Sequence, residues 1–364
     1  MIKFLSLEKE AFGLDINDLS LKLIKLKKKR GGFKLYSFME KEINPGIIEE
    51  GIIKNEEELA KIVKEAVKNV EGRKLKTKYV VASLPEEKSF LQIIQMPRMK
   101  EEELKTAVFF EAENYIPLPV SEVYLDFKII APAKNSSLLD ILIVATPKKI
   151  VNAYVSVLKK AGLFPIALEV ESEAMARALV KENSATAPIA LLDFGKTNTD
   201  LVVFCGNSIY FTCSFKVSSG QLTKVISEKL KISLDKAEKM KIKYGLSLKE
   251  KSGESKEVSN AMRPVLEELL EQIKKYLNFY QDHASQKHYF PEEKIEKIFI
   301  SGGGAEMKGL AEFLSKNLKI QAMPGVFWTD FLPKNQKKST LKNPLAFASA
   351  VGLALKNPNE IINI

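Results

Sequence analysis

The fold of this chain is decided by the stretch Leu191-Leu192-Asp193-Phe194-Gly195-Lys196-Thr197-Asn198-Thr199-Asp200-Leu201-Val202-Val203-Phe204. An apolar run leads into Asp193, a tight polar turn with Gly195 follows, and a run rich in β-branched residues ends the stretch. This pattern predicts a β-hairpin with a carboxylate at its mouth. Because glycine leaves room for a ligand beside backbone N–H groups, such a turn favours anion binding. The turn adds three short polar side chains, Thr197, Asn198 and Thr199.

The same pattern occurs near the beginning of the chain, in Gly13-Leu14-Asp15-Ile16-Asn17-Asp18-Leu19-Ser20-Leu21-Lys22-Leu23-Ile24. Asp15 again ends an apolar run and precedes a polar turn and a second strand pattern. When the two aspartates are aligned, Leu23 falls on Leu201. Two copies half a chain apart predict two similar halves rather than a solenoid, whose repeats are far shorter.

A third pattern follows in Ile298-Phe299-Ile300-Ser301-Gly302-Gly303-Gly304-Ala305-Glu306-Met307-Lys308-Gly309-Leu310. A buried-type strand ends here in three glycines that precede a predicted helix. Glycines at this junction leave space for a flat group against the backbone. The chain lacks the G-x-x-x-x-G-K-[ST] pattern of P-loop proteins, and these glycines lack the G-x-G-x-x-G spacing of dinucleotide-binding dehydrogenases.

Composition and charge place the chain among globular proteins with more than one domain. Its 364 residues are 45% apolar and 28% charged, and the net charge is +10, which is ordinary apart from the excess of lysine. That excess favours an acidic partner or anionic lipid, although a solvated lysine-rich surface is the simpler interpretation. The run Lys27-Lys28-Lys29-Arg30 precedes two glycines and contains no aromatic residue. It therefore predicts a solvated hairpin turn and no nucleic-acid platform.

Several features predict a cytoplasmic protein. The N-terminus lacks the pattern of a signal peptide, and no apolar stretch reaches the roughly 18–20 residues that a membrane span needs. Cys205 and Cys213 are the only cysteines, and we interpret them as small apolar residues in a reducing compartment. The two histidines belong to no metal-ligand pattern, so a zinc site is not expected.

The region between the two hairpins has a pattern of its own. Its strands and helices follow the order βαββαβ, which predicts a small inserted α+β subdomain. Within it, Glu111–Pro119 ends a helix with two prolines and exposes Tyr115 and Ile116. This segment is either a helix stop with a packed aromatic ring or a docking ridge. The six predicted elements are Ser89–Met96, Lys100–Tyr115, Val123–Ala131, Leu138–Ala145, Lys148–Gly162 and Phe164–Glu169.

These patterns predict an α/β fold with two lobes. The first lobe is assigned to residues 1–84, 171–187 and 343–364, and the inserted subdomain to residues 85–170. The second lobe is assigned to residues 188–230 and 284–342, with a helical subdomain at 231–283.

The order of the motifs and the place of the insertion resemble the actin-like ATPase superfamily and, within it, the type IV pilus assembly protein PilM family. The cell-division protein FtsA has a similar layout but adds a membrane-binding helix after a linker. The present chain stops soon after its last predicted helix, which favours the PilM family. The resemblance covers nearly the whole chain and is carried by Gly13–Leu26, Tyr115–Pro119, Leu192–Phe204, Ser301–Ala305 and Pro344–Leu355.

This resemblance implies an actin-like (ribonuclease H-like) fold with a duplicated core and with ATP and Mg²⁺ in the cleft between the lobes. Asp15 and Asp193 would hold the metal through water, and Glu171 would orient an attacking water. The ribose would lie near Glu238 and Lys241, and adenosine near Gly302, Gly303 and Gly304. The phosphates would lie among Asn17, Asp18, Leu19, Ser20, Lys22, Gly195, Lys196, Thr197, Asn198 and Thr199.

The first hairpin departs from the family pattern, which usually has a glycine and serines where this chain has Asn17 and Asp18. A carboxylate close to phosphates repels them unless a metal or Lys22 intervenes. The departure therefore predicts weaker nucleotide binding and weak or absent hydrolysis.

The resemblance implies a cytoplasmic adaptor that holds the N-terminal tail of the inner-membrane protein PilN in a groove beside the inserted subdomain. The adaptor would link the membrane platform to the pilus motor ATPase and would reach the membrane only through its partner. Three alternatives stay open. They are a kinase of the same superfamily, for which the insertion offers no convincing acceptor base, a filament-forming scaffold that associates with itself, and a nucleotide-free form used for its shape.

Overall fold

The structure is a computed structural model that describes residues 10–30, 32–130, 137–181, 185–246, 253–286, 294–327 and 341–356. The described residues form two larger mixed sheets, one in each lobe, a three-stranded sheet and a short two-stranded sheet. None of the helices within these ranges has the length and apolar character that a bilayer crossing requires.

Strands and helices alternate along most of the chain. In chain order they are β1 (Phe12–Ile16), β2 (Ser20–Lys29), β3 (Gly32–Glu42), β4 (Ile48–Glu49), β5 (Ile52–Ile53), α1 (Glu56–Lys68), β6 (Glu71–Gly72), β7 (Tyr79–Leu84), β8 (Phe90–Pro97), α2 (Glu101–Ala112), β9 (Val123–Ile130), β10 (Leu138–Pro147), α3 (Lys148–Lys160), β11 (Phe164–Val170), α4 (Glu171–Leu179), β12 (Ala185–Phe194), β13 (Thr199–Gly206), β14 (Ser208–Phe215), α5 (Ser219–Leu230), α6 (Leu234–Tyr244), α7 (Glu254–Gln286), β15 (Lys297–Ser301), α8 (Leu310–Leu318), β16 (Gln321–Pro324) and α9 (Ala348–Leu355).

The two larger sheets repeat one topology. In the first lobe the order is β11-β7-β1-β2-β3-β6, and in the second it is β14-β13-β12-β15-β16. Each begins with an antiparallel meander of three strands, whose first strand then pairs in parallel with a later strand. The hairpin turns also match, because the N–H of Asn17 donates to Ser20 O at 2.9 Å and that of Gly195 to Asn198 O at 3.0 Å. The predicted duplication is therefore present in the backbone.

The insertion is smaller than the sequence pattern predicts. The order βαββαβ occurs, but only β8, α2, β9 and β10 form a separate unit, with the strand order β8-β10-β9 and its own apolar core. β11 instead pairs with β7, and α3 places Tyr154 and Val157 in the core of the first lobe. Because β11 runs parallel to β7, it extends the first-lobe sheet, so the separate sheet ends with Pro147 rather than near residue 170.

Two helices, α4 and α9, join the lobes. They pack so closely that a Cβ atom at Gly352 would overlap the carbonyl oxygen of Ala174. Side chains of both helices share one apolar cluster with Ile24 of the first lobe and Leu191 of the second. The lobes therefore meet over a continuous apolar core.

A buried ion-pair network fixes the end of this arrangement. Arg177 of α4 and Lys356 after α9 both contact Glu169, whose side chain is almost fully buried. Burial alone would raise the pKa of Glu169, but the two cations lower it to about 2. The carboxylate therefore stays ionised and ties α4 to the end of α9.

Candidate nucleotide site between the lobes

The two predicted metal-binding aspartates come from different lobes and lie near one another. Asp15 is next to the last residue of β1, and Asp193 holds the same position in β12. The pKa of Asp193 is raised to about 6, first by burial and then by the charge of Asp15, while Lys22 lowers it. Burial also raises the pKa of Asp15, again opposed by Lys22. The two carboxylates therefore lie close enough to influence one another, and Lys22 is near both.

Glu171 completes this group from the first turn of α4. With its amide nitrogen turned toward these acceptors, Asn17 donates to Asp15 Oδ1 at 3.0 Å and to Glu171 Oε1 at 3.3 Å. Burial raises the pKa of Glu171 well above its usual range, and the charges of Asp15 and Asp200 raise it further. The ionised form of Glu171 is therefore disfavoured, and its side chain shares a hydrogen bond with Asp15.

Two further buried carboxylates, Asp200 and Glu86, lie close to this group, and the sequence analysis did not predict them. Asp200 stands directly opposite Asp193 in the hairpin, so the strand register was a signal that could have found it. Glu86 follows β7 and accepts the N–H of Ser172 at 3.2 Å, and no sequence pattern marks it. Burial raises the pKa of Asp200 well above its usual range, and the charges of Glu86 and Asp193 raise it further.

Asp18 of the first turn is directed at a neighbouring loop. Its two carboxylate oxygens accept the backbone N–H groups of Glu50 and Gly51, both at 2.9 Å. These two residues have φ angles of 50° and 72°, a left-handed conformation that is unusual for Glu50. Glu50 also forms an ion pair with Lys216 of the second lobe. Asp18 thus holds a turn that links the two lobes.

The other predicted residues of the first turn, Leu19, Ser20 and Lys22, form hydrogen bonds within the first lobe. Leu19 accepts the N–H of Ile43 at 3.0 Å through its carbonyl oxygen. Lys22 is buried and donates to Ser20 Oγ at 2.9 Å. It stands directly opposite Asp15 in the hairpin, so the positive charge lies beside the carboxylate at the mouth of the turn.

The second turn packs against the beginning of α5. Gly195 O accepts the N–H of Ser219 at 2.9 Å, and the turn therefore lies at the positive end of a helix. Asn198 Nδ2 donates to Asp200 Oδ1 at 3.1 Å and to Ser214 Oγ at 3.1 Å. Two predicted side chains of this turn form hydrogen bonds within the protein: Thr199 donates to Val217 O, and Thr197 donates to Asn198 Oδ1. The third, Lys196, is exposed to solvent.

The glycine loop lies against this second turn. Gly302 has a φ angle of 90°, and a Cβ atom there would overlap Asp193 Oδ1. The N–H of Gly304 donates to Phe194 O at 2.9 Å. Around a Cβ at Gly303 there is open space instead. Only glycine fits at the first position, and the middle of the loop faces a free volume.

Ser219 lies between the glycine loop and the pair Glu238 and Lys241. Lys241 is buried and donates to Ser219 O at 2.9 Å, to Thr223 Oγ1 at 2.8 Å and to Glu238 Oε2 at 2.8 Å. Burial lowers the pKa of Lys241, and Glu238 opposes this shift. Ser219 also packs against Gly304. Because three acceptors already surround the ammonium group of Lys241, the half-exposed Glu238 is the partner that faces solvent.

The residues present fit a hydrated magnesium ion and a nucleotide. Carboxylate and amide oxygens are hard ligands, and Mg²⁺ usually keeps several waters. Within the described ranges no three acidic, histidine or cysteine side chains converge closely enough to ligate a metal directly. Asp15 and Asp193 would therefore hold such an ion through its waters, and the open space at Gly303 lies on the second-lobe side.

Comparison with known proteins gives the family. The family model for type IV pilus assembly protein PilM matches residues 13–358. The chain belongs to the PilM family. A chain in a solved PilM–PilN type IV pilus biogenesis complex is 28% identical to it, with a TM-score of 0.78 over 95% of this chain and 98% of that chain.

More distant relatives share the fold of this PilM-family chain. The ethanolamine utilization protein EutJ from Carboxydothermus hydrogenoformans is 16% identical, with a TM-score of 0.57 over 95% of this chain and 89% of that chain. MreB 5 of Spiroplasma citri, solved with AMPPNP, is 12% identical, with a TM-score of 0.54 over 94% and 93%. The predicted actin-like fold is confirmed.

A curated relative shares part of the sequence. The cell division protein FtsA of Neisseria meningitidis serogroup B (strain ATCC BAA-335 / MC58) is 26% identical over 182 residues, which is 46% of this chain and 43% of the relative. The matched part of the chain thus spans less than half the length of FtsA.

Proposed function

We propose that this PilM-family chain binds ATP with Mg²⁺ in the cleft and acts as a cytoplasmic adaptor that holds the N-terminal tail of a PilN-like membrane protein. One observation carries the nucleotide part of the proposal. Two equivalent turns each have an aspartate at their mouth, and these aspartates are close enough that the charge of Asp15 raises the pKa of Asp193. Opposed anion-binding turns are suited to a triphosphate that lies between them.

Each group of residues has a part in this binding. Mg²⁺, when bound, would supply positive charge between the phosphates and the carboxylates. Asp15 and Asp193 would hold its waters, and Lys22 would balance the remaining negative charge. The open space at Gly303 and the half-exposed Glu238 would receive the nucleoside.

Hydrolysis is expected to be weak. A carboxyl group that deprotonates water must be ionised, whereas burial and neighbouring charge raise the pKa of Glu171 well above its usual range. In this chain Glu171 is better suited to hold Asp15 in position than to act as a base.

Isothermal titration of ATP–Mg²⁺ tests the nucleotide site. We expect Asp193→Asn to weaken binding by about 100-fold, because it removes one of the two carboxylates that hold the metal. Asp126→Asn, an exposed position on β9, is the matched control and should bind like the wild type. Equal affinities for wild type and Asp193→Asn would refute this site.

The adaptor part of the proposal is tested separately. It is supported by family membership and by the likeness to the PilM chain of a PilM–PilN complex. A fluorescently labelled N-terminal tail peptide of a PilN-like protein should bind saturably, and a scrambled peptide should not. If the tail fails to bind while ATP binding is intact, the adaptor role is refuted and the nucleotide site is not.

The proposed link to the pilus motor has its own test. A pull-down of the motor ATPase with this chain, with and without the PilN-like tail, should recover the motor in at least one condition. Failure in both conditions would limit the adaptor to its membrane partner.

A further inference from the structure

Helix α2 of the insertion exposes an apolar patch. Phe110 is 71% exposed and the adjacent Phe109 is 43% exposed. Phe110 closes a surface hollow of about 520 Å³ whose other lining residues are Glu102, Glu103, Thr106 and Ala107. Two neighbouring exposed phenylalanines on one helix are unusual for a surface without a partner.

The patch belongs to a negatively charged segment of a positively charged protein, and Glu102 and Glu103 lie beside it. Between Lys100 and Glu122 there are six glutamates and two lysines, whereas the whole chain has a net charge of +10. In the described ranges neither Glu102 nor Glu103 forms an ion pair. We call this surface, Glu102 to Phe110 of α2, the acidic face.

The tip of the β2–β3 hairpin has the opposite character. Its cationic side chains are all exposed, and none pairs with a carboxylate in the part of the chain that the structure describes. β6 covers β3 only at Ser37 and Phe38, so the rest of that strand lies at the edge of the sheet. We call this surface the basic tip; its charged residues are Lys27, Lys28, Lys29, Arg30 and Lys34.

We propose that the acidic face of one copy binds the basic tip of a second copy. Both surfaces carry charge that is not neutralised within one copy. The charge of the acidic face is negative and that of the basic tip is positive, so the two surfaces are complementary. The ion pairs would set orientation and association rate, and burial of Phe110 would supply most of the affinity. Because the two surfaces differ, the contact is heterologous and extends into open chains unless a rotation closes it.

Sedimentation velocity over a concentration series tests this contact. At 50 mM salt the wild type should associate, and at 500 mM salt association should fall, because screening weakens exposed charge pairs. Two reversals, E102K/E103K and K28E/K29E, should each weaken association by at least about 10-fold. An equimolar mixture of the two should restore it to within about threefold, because each reversed surface then meets a complement.

Two further variants separate this contact from general effects. Phe110→Ser keeps the charges and should also weaken association by about 10-fold. E267K/E268K, at adjacent exposed glutamates of α7, carries the same charge change elsewhere and should associate like the wild type. Circular dichroism melting of each variant establishes that it is folded.

The proposal is overturned if the wild type stays monomeric over the whole series at low salt. It is also overturned if K28E/K29E associates like the wild type, which would indicate a symmetric contact through α2, or if the mixture of reversals fails to restore association.

Discussion

The two hairpins have the same backbone and different chemistry. In the first hairpin Asp15 stands opposite Lys22, whereas in the second Asp193 stands opposite Asp200. The first pair is close to neutral in charge. In the second, burial raises the pKa of both carboxyls, so a cation is needed to stabilise their ionised forms.

The strands beside the hairpins differ in the same way. The register of β7 on β1 and of β15 on β12 places Ser83 and Ser301 at equivalent positions. In the first lobe Leu84, Pro85 and Glu86 follow, and in the second lobe three glycines follow. The first lobe thus places a buried carboxylate against the second lobe, and the second leaves an open volume.

The comparison indicates that the two copies share the same turn and differ in the charged side chains around it. The first lobe supplies the balanced charge and the contact between lobes. In the proposed site the second lobe would supply Asp193, the second of the two metal-binding aspartates, and the open space for the nucleoside. Variants that treat the two copies differently can therefore break or sharpen the comparison.

The largest expected effect comes from Gly302→Ala. A Cβ atom there would overlap Asp193 Oδ1 and lie 2.7 Å from Phe194 O, and the φ angle of 90° disfavours alanine. We expect the free energy of unfolding to fall by about 3 kcal/mol, measured by urea denaturation.

Gly303→Ala is the matched control for this variant. Nothing lies within 4 Å of a Cβ at that position, so the change should stay within about 0.5 kcal/mol of the wild type. Similar losses for both variants would show that the glycine loop does not pack on the second hairpin as described.

Asp18→Ser tests the special role of the first turn. Loss of two charge-assisted hydrogen bonds to Glu50 and Gly51 should lower stability by about 2 kcal/mol and increase amide exchange at both residues. Asp18→Asn keeps one acceptor and should lose less. ATP affinity should change by less than about threefold, because the carboxylate is directed at the turn. A large gain in affinity would instead mean that Asp18 faces the phosphates.

The smallest expected effect is the pH dependence of the second hairpin. The pKa of Asp193 is raised to about 6, and Mg²⁺ requires the ionised carboxylate, so ATP–Mg²⁺ affinity should fall about tenfold between pH 7.5 and pH 5. Without ligand, the pH dependence of the free energy of unfolding has the opposite sign to that of binding. Because the folded state holds this proton more tightly, stability from Asp193 is present below its ordinary pKa and is lost as pH rises through 6.

Asp193→Asn is the control for the pH dependence, and it should flatten both trends. Calorimetry measures the binding trend and urea denaturation the stability trend. If the variant shows the full wild-type dependence of binding, the titrating group is not Asp193.

The sequence was sufficient to predict the duplicated hairpins, the glycine loop, the actin-like fold and the family. These depend on local patterns, in which an apolar strand, a carboxylate and a polar turn follow one another directly. The conserved turn length kept the two copies in register, so Asp15 and Asp193 could be aligned without a structure.

Other features depend on contacts between distant segments. The pattern of β11 is the same whether it joins the insertion or the first-lobe sheet, and only its pairing with β7 decides. The direction of Asp18 depends on the turn at Glu50, and the burial of Glu86 depends on how the lobes meet. The contact of Lys241 with ribose stays a prediction; its partner Glu238 follows from helical spacing, whereas its partners Ser219 and Thr223 on α5 do not.

A crystal structure with AMPPNP and Mg²⁺ tests the central claim most directly. We predict that the triphosphate lies between residues 17–20 and 195–198. The metal should lie about 4 to 5 Å from a carboxylate oxygen of both Asp15 and Asp193, the reach of one bridging water. A nucleotide bound outside this crevice, or a metal near only one of the two aspartates, would contradict it.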